Sequence, residues 1–64
     1  MENMNKMNYF NLVVLRGAKF VIQYPFTGTK KDAITEAKRL GSTDHYGAVV
    51  SVENKSGLVV GVAR

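Results

Sequence analysis

The apolar positions of this chain change their spacing along its length, and the changes divide it into five segments. From Asn8 to Leu15 the residues are β-branched, aromatic and apolar, which predicts a first strand. Arg16-Gly17-Ala18 follows as a short turn. Lys19 to Tyr24 then alternates strictly, with Phe20, Ile22 and Tyr24 on one side and Lys19, Val21 and Gln23 on the other. Pro25 has no amide hydrogen for a ladder, so it ends this second strand or sits on a sheet edge. Two strands joined by so short a turn form a hairpin.

After Phe26-Thr27-Gly28 the period changes to that of a helix. Thr29-Lys30-Lys31-Asp32 resembles a capping box with Asp32 in the acidic position, and a helix is predicted from Lys30 to Leu40. Ala33, Ile34, Ala37 and Leu40 form its apolar stripe, and Lys31, Thr35, Lys38 and Arg39 its polar side. Gly41 suits the residue that stops it. Lys38 and Arg39 suit the negative end of the helix dipole, whereas Lys30 and Lys31 oppose the positive end, a placement that fits a ligand-facing spot. Beyond the loop Ser42 to His45, alternation returns in Tyr46 to Glu53. The turn Asn54-Lys55-Ser56-Gly57 leads into a last strand, Leu58 to Ala63.

The expected fold class is α+β: a single ββαββ domain, one four-stranded antiparallel sheet with the helix packed on one face. One helix covers one face only. With Phe10, Leu12, Val14, Phe20, Ile22, Tyr24, Ala48, Val50, Val52, Leu58, Val60 and Val62 turned to it, Val13, Leu15, Val21, Val49 and Val59 fall on the reverse face. There they are interrupted by Asn11, Gln23, Ser51 and Gly61. A solvated sheet face is normally polar, so these five residues are the candidate self-association or partner face. Strand propensity alone also places valine on either side.

Composition narrows the function classes. A chain of 64 residues holds one domain with little stability to spare. It has no cysteine and one histidine, so disulfides and thiolate metal sites are excluded, and no carboxylate cluster in sequence joins His45 to make a zinc site. Association remains as the stabilising device, and a homodimer through the reverse face is the expectation. No apolar run is long enough for a membrane span. Met1 to Met7 reads as a polar, loosely ordered leader before a domain at 8–64, and the lack of cysteine fits a reducing cytoplasm.

The net charge is +4, from nine Lys and Arg against five Asp and Glu. A basic surface attracts nucleic acid or an acidic protein. Lys30, Lys31, Lys38 and Arg39, with His45 and Tyr46 in the following loop, are the candidate partner-binding residues. Asp44-His45 has catalytic residue types, but neighbours in a loop rarely meet productively and no nucleophile stands near. Ser42 and Ser56 belong to turns, and Gly28-Thr29-Lys30 lacks the spacing of a phosphate loop. Neither an enzyme nor a cofactor is expected.

Two resemblances bear on the target. From Thr35 to Val60 the order Ala37-Lys38-Arg39-Leu40, a polar loop, His45-Tyr46-Gly47-Ala48-Val49 and a turn ending Gly57-Leu58 resembles the small phage-encoded type I-F anti-CRISPR inhibitors. That resemblance implies an inhibitor that binds a host CRISPR nucleoprotein complex and blocks nucleic-acid access in the host bacterial cytoplasm. Lys38 and Arg39 stand at its basic contact positions, and Thr43 stands where the family carries a further basic loop residue. The first half, a basic hairpin before Thr29-Lys30-Lys31-Asp32-Ala33, is similar to the arm-type DNA-binding domains of phage integrases. It differs from them in lacking a third strand before the helix. The leading expectation is a non-enzymatic inhibitor, with weak nucleic-acid binding possible. The alternatives are a small basic DNA-binding accessory protein of a phage or mobile element, and a structural homo-oligomer.

Overall fold

The computed structural model describes residues 8–63; the proposed leader lies outside the described residues. Elements follow in the order β1 (Asn8–Arg16), β2 (Lys19–Gly28), α1 (Lys30–Ser42), β3 (Val49–Asn54) and β4 (Val59–Ala63). The four strands form one antiparallel sheet in the spatial order β2-β1-β3-β4, so β2 and β4 are its edges. This is the ββαββ domain expected, with α1 packed against the sheet.

The core lies between α1 and the two central strands. Phe10, Leu12 and Val14 of β1, and Val50 and Val52 of β3, meet Ala33, Ala37 and Leu40 of α1. Two alanines at the contact let the helix backbone come close to the sheet, because a methyl group is the only spacer. Tyr24, Phe26, Ile34 and Val60 pack around this centre and are partly buried.

The boundaries differ from expectation in ways that have local causes. β2 continues through Pro25 to Gly28. As an edge strand it pairs only with β1, so a missing amide hydrogen on the outer side breaks nothing. α1 runs on past Leu40 to Ser42, with Gly41 inside it. A Cβ at Gly41 would lie 3.3 Å from the Ala48 carbonyl oxygen, so this glycine serves the close return of the chain rather than the helix stop. The helix ends instead at Thr43, whose backbone N–H and hydroxyl both donate to the Arg39 carbonyl, at 3.0 and 2.7 Å. At the other end the Thr29 hydroxyl accepts from the Asp32 amide at 3.1 Å, the cap that the sequence predicts.

Two bulges change which side chains face the helix. In β2, Ile22 pairs with Val14 but Phe20 pairs with Leu15, so Val21 is an extra residue and Phe20 passes to the reverse face. Phe20 is 60% exposed rather than part of the core. In β4, Gly61 pairs with Val52 and Val59 with Glu53, leaving Val60 as the extra residue. Gly61 therefore faces α1, where the alternation had put Val62. Val62 pairs with Ser51 on the reverse face, and Leu58 stands exposed before the strand. Two of the three residues assigned to the inner side of β4 are thus outside the core.

Candidate functional site

The helix carries its charges on separate flanks. Lys30, Ile34 and Lys38 recur at helical spacing on one side, with Lys31 and Thr35 beside them. Asp32 and Glu36 lie on the other. Packing decides where each flank points. Ile34 lies over Gly61 of β4, with its Cδ1 about 3.0 Å from where a Cβ on that glycine would stand. The lysine flank is therefore turned toward the β4 edge.

Three shallow clefts follow that flank and share residues. The first, about 510 Å³, lies between Lys30, Lys55, Tyr9, Asn54 and Val60. The second, about 540 Å³, lies over Ile34 between Lys30, Lys31 and Lys38. The third, about 410 Å³, runs from Lys38 to Tyr46, Gly47 and Ala63. Lys30 joins the first to the second and Lys38 joins the second to the third. Taken in order they make a shallow, discontinuous groove along α1 that meets β4 at its two ends, lined by Lys55, Lys30, Lys31 and Lys38. Tyr46, 78% exposed, stands at one end; Tyr9, 65% exposed, borders the other from β1, with the strand parity of the reverse face.

The six predicted partner-binding residues do not all share this groove. Lys30, Lys31, Lys38 and Tyr46 line it. Arg39 belongs to the acidic flank, where its guanidinium donates two hydrogen bonds to the Glu36 carboxylate. Those bonds hold the Glu36 carboxyl below its ordinary value and raise Arg39 above its own, the ion-pair attraction acting in the same sense. His45 turns to the opposite side from Tyr46. Its Nε2 lies 2.7 Å from the Tyr24 hydroxyl, tying the loop after α1 to β2. His45, named among the partner-binding residues, is thus placed on the β2 side of the loop, away from the lysines.

Backbone bonds set this divergence. The His45 amide donates to the Leu40 carbonyl at 2.9 Å, and the Gly47 amide to the Gly41 carbonyl at 3.1 Å. Gly47 takes a φ of 85°, which lets the chain reverse between Tyr46 and β3. Lys55 is fixed by another turn: the Asn54 side-chain oxygen accepts from the Ser56 and Leu58 amides at 2.9 and 3.0 Å, and Gly57 has a φ of 86°. Neither Lys55 nor Tyr9 is among the residues that sequence reading groups with the helix lysines. Both reach the groove only through the pairing of distant segments.

The reverse face is also reorganised. Val13 is only 8% exposed although no element among the described residues covers this face; its cross-strand neighbours are Gln23 and Ser51. Phe20, Leu15 and Val49 form a continuous apolar row across three strands. Val62 extends the next row beyond Ser51. Val59 lies apart, in a row with Glu53, Asn11 and Pro25. Val21, the bulge residue, is exposed. The five residues named from the alternation are therefore not one patch. The apolar area centres on Phe20, Leu15 and Val49, and the exposed phenyl ring of Phe20 is its largest member.

Among the described residues no group of three or more His, Cys, Asp or Glu is placed to hold a metal ion, and no helix is long and apolar enough to cross a membrane. No protein-family model, curated protein or solved structure matches this chain.

Proposed function

We propose that this domain is a non-enzymatic inhibitor-type binding protein. It docks on a host nucleoprotein complex and stands in the way of nucleic acid. The observation that carries this reading is the pairing of two unlike surfaces on so small a body: a lysine groove beside α1 and an open apolar row on the far side of the sheet. Phosphates need only the charges. A row of exposed Phe20 and half-buried Leu15 and Val49 gains nothing from a phosphate backbone, whereas both surfaces are useful against a protein that itself handles nucleic acid. The resemblance to type I-F anti-CRISPR inhibitors names a CRISPR surveillance complex as such a target. Of the two positions it singles out, Lys38 is on the groove, while Arg39 is engaged by Glu36.

A second reading, direct binding of nucleic acid, is favoured by the exposed Tyr46 at one end of the lysine track, since an exposed ring can stack on bases. Salt separates the two. The inhibitor reading expects the purified protein to bring a multi-subunit nucleoprotein complex out of a host lysate. It also expects binding to bare duplex DNA to stay weaker than micromolar near physiological salt. Tight DNA binding that falls steeply with log salt, by about 0.9 per phosphate contacted, would transfer the function to a DNA-binding accessory protein. Sedimentation of the free protein addresses its self-association: a dimer that Phe20→Lys dissociates would assign the apolar row to a second copy.

A further inference from the structure

The two sheet edges differ in how they are guarded. β2 carries Lys19 and Pro25, both usual devices against unwanted strand pairing. β4, Val59–Ala63, has neither a charge nor a proline, and past its bulge at Val60 the segment Gly61 to Ala63 pairs regularly with β3. Among the described residues its outer side has no strand partner. Though short and bulged at Val60, this edge lacks the charge and the proline of β2, so Gly61 to Ala63 is the stretch open to another strand.

We infer that the β4 edge accepts an extended acidic segment of a partner protein as a fifth strand, its carboxylates reaching the lysines of α1. The inference rests on the reading of a protein target. The helix and the strand run side by side: Lys30 lies by Val60, Ile34 by Gly61 and Lys38 by Ala63. The eight helical steps from Lys30 to Lys38 span about 12 Å. Four steps along an added strand, from its first residue to its fifth, span about 13 Å, and every second side chain points to the helix side. The first and fifth residues of the segment thus meet Lys30 and Lys38, and the third lies over Ile34. The pattern that fits is acidic, any, apolar, any, acidic. Main-chain bonds to the edge supply affinity and the lysines select the sign of charge.

Charge also argues against the other occupants. Two copies pairing β4 to β4 would set their lysine flanks against each other across the seam, like charge facing like. A nucleic acid would satisfy the lysines but has no backbone to pair with the edge and no apolar group for Ile34.

The test is an amide NMR titration of the full chain with a synthetic peptide of that pattern, beside a copy with lysine at its two acidic positions and a short oligothymidylate. Shifts and slowed amide exchange are expected in Gly61 to Ala63 and along the lysine flank. Reversing both exposed lysines together, Lys30→Glu with Lys38→Glu, should weaken the acidic peptide by about tenfold and strengthen its lysine copy, with the dispersed spectrum of the folded domain retained. Shifts confined to β2 or to the Phe20 row would overturn the inference. So would preference for the oligonucleotide, or protection of β4 that grows with protein concentration and without peptide. A domain that captures a nucleoprotein complex while β4 ignores the peptide loses the edge inference alone; one that binds only DNA loses both.

Discussion

Replacing Leu12 with alanine should leave this domain largely unfolded near body temperature. Leu12 is among the largest side chains that are almost wholly buried, at the middle of the central strand β1. It pairs with Tyr24 on one side and Val52 on the other, under the helix. Removing a buried leucine side chain to alanine costs about 2–5 kcal/mol, more when the site cannot collapse. Here it is hemmed in by paired strands, so collapse is limited. A chain of 64 residues has roughly 3–10 kcal/mol in total at the usual stability per residue, and no disulfide supplements it. One substitution can therefore remove half of the stability or more. Thermal melting followed by circular dichroism should fall by more than about 10 °C. Leu15→Ala, at a half-buried position on the reverse face, should cost far less. Equal losses at the two positions would mean that the helix does not select the side of the core.

That asymmetry was legible in the sequence because the central strands keep parity. Phe10, Leu12 and Val14 alternate without interruption, as do Ala48, Val50 and Val52, and every one of them is buried. The helix stripe was legible for the same reason, and the Thr29 cap from its side chain. The edges were not. A strand read by alternation is assumed to keep one residue opposite one residue, and both edge strands break that assumption once. Nothing in Lys19 to Tyr24 or Leu58 to Ala63 marks the extra residue. A bulge is a compromise between two strands, and neither segment encodes it alone.

The site was legible in part. That the lysines of α1 are exposed follows from the helical period. Which sheet edge they overlook follows from Ile34 packing on Gly61, a contact between segments 27 positions apart. Lys55 and Tyr9 enter the groove by the same long-range pairing. The loss of Arg39 from the basic set had a local signal, the spacing of three between Glu36 and Arg39 on a helix surface. The divergence of His45 and Tyr46 had none, since it depends on the Tyr24 hydroxyl arriving from β2.

Gly61→Val tests the register of β4 by the sign of its effect. If Gly61 lay on the open face, as simple alternation requires, valine would stabilise the strand. Glycine is a poor strand residue, and the scale between glycine and a β-branched side chain spans about 1 kcal/mol. Facing α1, the same change does the opposite. A Cβ at Gly61 would stand 3.0 Å from Ile34 Cδ1 and 3.1 Å from Cγ1. Alanine is tolerable there, because the Ile34 side chain is only partly buried and its end can swing aside. The two further methyl groups of valine press on the helix, and overpacking of this kind costs about 1–3 kcal/mol. Gly61→Val is therefore expected to lower the denaturation midpoint, with Gly61→Ala close to neutral. The clash also predicts coupling. In an Ile34→Ala background the space above Gly61 is empty, so valine should fill it and recover stability, giving a non-additive double-mutant cycle. A stabilising Gly61→Val in the parent chain, or strict additivity with Ile34→Ala, would put this residue back on the open face. The lysine groove would then lose the contact that orients it.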